Sequence, residues 1–210
     1  MENSRRVRAP NQRVMEDSLM SGLIRASIAN YPLSCFVIGL IFALASIARA
    51  GRRDRSLVVE RLLAWHIFWS IGICYLVNFV FHAFFGQMAA AFIGWSDSPF
   101  QFEVATASLG FSVVGFLAAW RGQELRLAAI LGPGIFVLGA AVGHAYQMIT
   151  AHNFAPGNAG VIFYADIGLP LFGLLLLWAR SNSASGSLLF RTQLPRAAIE
   201  PALGTRRQTI

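Results

Sequence analysis

Four ionisable side chains, His82, Glu103, His144 and Asp166, each fall about one helical turn inside the same edge of a different hydrophobic run. A titratable group inside lipid is costly and needs a partner, so four at one level predict one shared polar pocket. Two carboxylates and two imidazoles admit several chemistries. They could hold a divalent or iron centre, as carboxylate–histidine sites in helical bundles do. His82 and His144 could ligate a haem from opposite sides. Glu103 or Asp166 could carry protons. The plainest alternative is that each imidazole pairs with a carboxylate and pins two helices together. No single helix has the ExxH or HxxxH spacing of a metal site. Nothing in the sequence matches a nucleophile elbow, a phosphate loop or a dinucleotide fingerprint.

Other polar residues extend the predicted pocket. Tyr75 and Asn78 share a helical face with His82. On the next span, Glu103, Ala107 and Gly110 form a candidate small-residue seam; Gly139 and Gly143 form a small-xxx-small pair beside His144; Asp166, Pro170 and Gly173 share a face. Small residues beside polar ones allow the close packing that encloses polar groups in membrane bundles. Gln101, Gln147, Asn153 and Asn158 complete the ligand-binding candidates. The loop His152–Gly160 is dense in turn formers, and Pro156-Gly157 suits the centre of a type II turn. It reads as a tight turn between helices, with a lid as the functional alternative. His66, between Trp65 and Trp69, reads as an interfacial or core histidine.

The elements that must position these residues are membrane spans. The chain of 210 residues is 56% hydrophobic and 13% charged. Soluble domains carry nearer a quarter charged residues, and a bilayer core takes ~20 helical residues to cross. Spans are predicted at about 31–48, 62–85, 99–120, 125–148 and 161–178, with continuation of the second through Gln87–Ile93 as an alternative. Residues 1–30 predict a weakly amphipathic interfacial helix, and residues 181–210, rich in Ser, Arg and Pro, a disordered tail. The first span could instead be re-entrant, leaving four crossings, or the core of a signal peptide cut near Ala48-Arg49-Ala50. The long polar lead-in, which contains acids, and the following Arg52, Arg53 and Arg55 count against cleavage. Ser98-Pro99-Phe100-Gln101 has the pattern of a capping box. Gly132-Pro133-Gly134 predicts a kink. Cys35 and Cys74, placed near one end and near the middle of their spans, read as small hydrophobes at different depths, too far apart to bridge.

All 17 basic residues are Arg, and the net charge is +7. No nucleic-acid-reading motif accompanies them, and they cluster beside the spans, where they set topology and meet anionic headgroups. The connections 86–98 and 149–160 contain no Arg. The positive-inside rule therefore makes those loops external and the C-terminus cytoplasmic, with twelve Arg inside against five outside. The titratable groups then sit at the external edge.

Several of these stretches occur together in a recognisable order. Gly94-Trp95, Ser98-Pro99-Phe100-Gln101-Phe102-Glu103-Val104, Gly143-His144-Ala145-Tyr146-Gln147-Met148, Asn153 with Pro156-Gly157-Asn158-Ala159-Gly160, and Asp166 with Pro170 resemble the signature of an uncharacterised family of small bacterial multi-pass membrane proteins. The resemblance covers roughly residues 30–180 and implies the membrane class without an activity. The family pattern continues after Glu103-Val104 with Gly, a variable residue and Ala-Asn-Leu. Here Ala105-Thr106-Ala107-Ser108-Leu109 replaces the stronger polar Asn with Ser108.

These readings predict an all-α integral membrane bundle of five helices in a bacterial cytoplasmic membrane, with the bilayer as partner and homo-oligomerisation open. The expected function is non-enzymatic binding of a small ligand, lipid or partner at the external face. The alternatives are a redox, metal or haem protein and an oligomeric proton-linked transporter.

Overall fold

The computed structural model describes residues 10–192, and side chains from 18 to 182. No strand occurs among the described residues, and five helices are long and apolar enough to cross a membrane. Helix α1 (Pro10–Ala29) precedes α2 (Tyr31–Ala48). A continuous helix then runs from α3 (Arg55–His66) through a π-helical stretch (Ile67–Ile73) into α4 (Cys74–Phe84). Short α5 (Gly86–Ile93) leads to α6 (Phe100–Ala118), α7 (Gln123–Ala151), the one-turn α8 (Pro156–Ala159) and α9 (Val161–Thr192).

Each start has a local cause. Asp54 caps α3, its carboxylate accepting from the Leu57 NH at 2.9 Å. That bond, and then the Arg52 guanidinium, hold the exposed Asp54 carboxyl below its ordinary range. Proline opens α2 and α8 within their first two positions, where no backbone donor is needed. The second span begins at Arg55, before the predicted Leu62, and breaks at Phe85, so α5 is separate rather than its continuation. The last helix carries on to Thr192, so residues 181–192 are helical instead of a disordered tail. No proline interrupts that stretch before Pro195, and adding residues to an existing helix is far easier than nucleating one. The rest of the expected tail, 193–210, lies outside the described residues.

Helix α2 belongs to the bundle and runs antiparallel to the α3–α4 helix. Tyr31 bonds to Asn78, Cys35 meets Cys74, and Gly39 packs on Trp69, where a Cβ would come within 3.0 Å of the tryptophan Cβ. These pairs keep one register, so Cys35 and Cys74 are level, contrary to the depths expected from their spans; both are buried and unbridged. The mismatch arises because the partner helix, with 30 residues against 18, extends past α2 at its ends.

Glycines set the closest approach elsewhere. At the crossing of α6 and the π-helical stretch, a Cβ on Gly115 would lie 2.7 Å from the Gly72 nitrogen. There the Gly72 carbonyl also accepts from the buried Ser112 hydroxyl at 2.7 Å. The buried face of α6 is therefore Ala105, Ser108, Ser112 and Gly115. The predicted Glu103–Ala107–Gly110 seam is corrected: Gly110 faces open space. The predicted Gly139–Gly143 pair also makes no helix crossing, since nothing lies near Gly139. The close glycine of α7 is Gly134, against Pro170.

The dry core, including Leu63, Ile67, Ala118, Ala129, Ile130 and Leu177, occupies the half nearer the arginine-rich connections. An ion network closes that end. Arg126, 1% exposed, grips Glu60 through both terminal nitrogens at 2.9 and 2.7 Å. Its Nε and Nη2 also donate to the Ala118 and Ala119 carbonyls that end α6. Arg180 donates to Glu60 at 2.7 Å and also to Gln123, tying α3, α7 and α9 together.

Candidate functional site

The opposite half of the bundle, beneath the Arg-free loops, encloses a cavity of about 620 Å³. Its walls come from every helix, α1 to α9 with the π-helical stretch, and are mostly apolar; Arg25 of α1 and Asp166 of α9 are the Arg and Asp side chains among them. Of the predicted site residues, Tyr75, Asn78, His82, Gln101, His144 and Asp166 line it. Glu103, Gln147, Asn153 and Asn158 do not.

Glu103 is the clearest correction. It is exposed on α6, on a different side of the helix from Ala105 and Ser108. The shared pocket therefore holds three of the four predicted titratable groups. Gln101 takes the place expected of Glu103: its Oε1 contacts His82 Nδ1 at 2.5 Å. This also replaces the predicted capping box. No side chain caps α6, because a half-buried imidazole claims the Gln101 amide, and the Ser98 and Pro99 carbonyls close the first turn instead.

Tyr75, Asn78 and His82 share the cavity-facing side of α4, as their spacing requires. The Tyr31 hydroxyl donates to Asn78 Oδ1 at 2.6 Å, and Asn78 Nδ2 donates to Ser108 at 2.8 Å. Ser108 thus has a polar role, accepting from Asn78 and donating to the Val104 carbonyl at 2.7 Å. Tyr75 donates to the Pro133 carbonyl at 3.2 Å, within an α7 that runs unbroken from Gln123 to Ala151.

Above the cavity, the loop motifs interlock around Asn158, which is fully buried. Its Nδ2 donates to the His144 and Asn153 carbonyls at 3.1 and 2.9 Å. Its Oδ1 must then accept, from Trp95 Nε1 at 3.1 Å and from His144 Nδ1 at 2.8 Å. His144 therefore carries a proton on Nδ1 and presents Nε2 to Asp166. That contact, Nε2 to Oδ2, is 3.7 Å: an ion-pair distance, too long for a hydrogen bond.

The remaining loop residues hold this arrangement in place. Asn153 donates to the Ile93 and Gly94 carbonyls, and the Gln147 carbonyl accepts the Asn153 NH. Gly94 ends α5 with φ 76°, where a Cβ would stand 2.7 Å from Asn153 Oδ1. The predicted type II turn at Pro156-Gly157 is instead the one-turn helix α8, and Gly157 has no positive φ. Glycine is needed there because a Cβ would lie 2.8 Å from the Phe92 carbonyl.

Asp166 is 12% exposed at its side chain, lines the cavity and makes no hydrogen bond among the described residues. No group of three His, Cys, Asp or Glu among the described residues is placed to hold a metal ion, so the expected four-residue metal cluster does not form. His144 has both ring nitrogens turned to protein groups, which also leaves it no free face for a haem iron. Two participants escaped the sequence reading. Tyr31 was hidden because its partner depends on the α2 register. Glu60 was hidden because it precedes the predicted start of its span.

The fold and site define an all-helical integral membrane bundle with a polar-rimmed cavity near one end. The chain belongs to the family of unknown function DUF6790, whose model matches residues 29–186. No curated protein and no solved structure matches it.

Proposed function

We propose that the protein binds a small lipophilic ligand with a cationic head, of the alkylamine kind, in the loop-end cavity. The observation that carries this reading is Asp166: a largely buried carboxylate with no hydrogen bond, facing a mostly apolar space of ligand size. Asp166 is the only carboxylate lining that space among the described residues, and the aromatic rings of Tyr31, Tyr75, Phe81 and Trp95 share its wall. Aromatic faces beside one carboxylate suit an amine or ammonium head. The cavity sits in the outer half of a bacterial cytoplasmic membrane, with the arginine-rich end inside and α1 on the external surface; twelve of the 17 Arg fit this orientation, and the five of residues 1–30 run against it. Octylamine tests the reading in lipid nanodiscs, with empty nanodiscs as the reference. Saturable binding to the wild type, weakened at least tenfold in Asp166→Asn, supports it; binding equal in the two proteins refutes it.

A second reading rests on the His144–Asp166 pair. With Nδ1–H committed to Asn158, one proton can pass between Nε2 and the carboxylate as a ligand arrives. Proton-linked movement of the amine follows from that geometry. It predicts a pH-dependent amine flux in liposomes that Asp166→Asn abolishes; an unchanged flux discards it.

A further inference from the structure

The inner wall of the same cavity carries His66 and Ser70, one turn apart where α3 passes into the π-helical stretch. They are 5% and 4% exposed; the His66 ring meets the Leu169 backbone carbonyl, while His66 Nδ1 and Ser70 Oγ have no hydrogen-bond partner among the described residues. Each such buried atom costs about 1–3 kcal/mol if left unmet. Polar atoms retained at that cost call for a specific explanation, such as a missing ligand or water. The His66 ring is not free to turn away. Phe36 and Phe172 meet it edge-on at 6.1 and 5.2 Å, and a Cβ on Gly173 would stand 3.1 Å from its Nε2. Packing therefore fixes the imidazole while leaving Nδ1 unsatisfied.

Gly173 also gives the depth of this pair. It lies seven residues beyond Asp166 on α9, which is about 10 Å at the helical rise of ~1.5 Å per residue. We propose that His66 and Ser70 form a second polar subsite, which takes a hydroxyl at the far end of the ligand whose cationic head meets Asp166. This rests on the cavity reading above and names the ligand class further: a lipophilic amino alcohol. A hydroxyl both donates and accepts, so it satisfies the pair whichever ring nitrogen of His66 carries the proton. The apolar wall between the two subsites accommodates the connecting chain.

The test compares octylamine with 8-amino-1-octanol, which adds only the distal hydroxyl, on the full chain in nanodiscs. The wild type is expected to bind the amino alcohol about tenfold more tightly, the worth of one or two well-made buried hydrogen bonds. Ser70→Ala narrows that preference, and Ser70→Ala with His66→Phe removes it by weakening amino alcohol binding, while octylamine, which has no hydroxyl to lose, binds no more weakly than to the wild type. Ser70→Ala deletes a single buried atom, so it reports even if the double variant fails to fold. Equal binding of both amines by the wild type, as a water-filled inner end would give, overturns the subsite and leaves the Asp166 reading standing. A preference untouched by Ser70→Ala also overturns it. Failure of both amines to bind overturns both proposals.

Discussion

At the arginine-rich end, all three guanidinium nitrogens of Arg126 are engaged by Glu60 and the last carbonyls of α6. At the loop end, Asp166 is mostly buried, yet it has one 3.7 Å contact and an open cavity beside it. Both are ionisable groups taken largely out of water. The first is enclosed by partners from two helices, α3 and α6, beside a dry core, and it reads as a lock. The second keeps its lone pairs unassigned, and its partner His144 is held by Asn158 rather than by Asp166 itself. A charge satisfied by protein is a structural device; a charge aimed and left unsatisfied is available to a ligand. The π-helical stretch lies between the two regimes, with its Gly72 contact tight against α6 and Ser70 on the cavity wall.

The largest effect is expected from breaking the lock. Glu60→Ala strands the buried Arg126 guanidinium and lowers stability by about 3 kcal/mol, read by chemical unfolding in detergent. Loss of well under 1 kcal/mol would mean that water already satisfies Arg126 and that the contrast between the ends is false. Next comes Asn158→Ala, which removes the bonds organising Trp95, His144 and Asn153 and costs about 2–3 kcal/mol. It should also weaken octylamine binding, because His144 loses its orientation; unaltered binding would uncouple the loop from the cavity. Gly115→Ala pushes a methyl into the Gly72 backbone and should cost about 1–3 kcal/mol in the same unfolding measurement. Glu103→Gln, on an exposed side chain, should stay within about 0.5 kcal/mol and leave amine binding unchanged.

The smallest effect is a pH dependence at the lock end. The carboxyl of Asp54 is held below its ordinary range by the Leu57 NH and then Arg52. Its capping contribution is therefore complete above the usual carboxylate range and fades as pH falls through the lowered value. Asp54→Asn should flatten that acid limb; an unchanged limb would assign it to another group.

The sequence made the spans legible because length and apolarity are enough to mark them, and Tyr75, Asn78 and His82 were found together by helical spacing. It misplaced Glu103 because depth in a span says nothing about which way a side chain faces. Gln101, two residues earlier, has the phase that reaches His82. The lock was invisible for a different reason. Glu60, Arg126 and Arg180 look like charges flanking spans, and only the packing of α3, α7 and α9 makes them one network. The loop motifs were recognised as a set, but their common centre at Asn158 depends on a fold of the chain that no spacing encodes.

Asp166 and Glu103 allow a matched comparison, since each can lose its charge by one isosteric change. Octylamine titrated into wild type, Asp166→Asn and Glu103→Gln in nanodiscs tests the loop-end cavity most directly. The account predicts saturable binding in wild type and Glu103→Gln with the same affinity, and a loss of at least tenfold in Asp166→Asn. Equal affinity in all three, or a loss in Glu103→Gln instead, would contradict it.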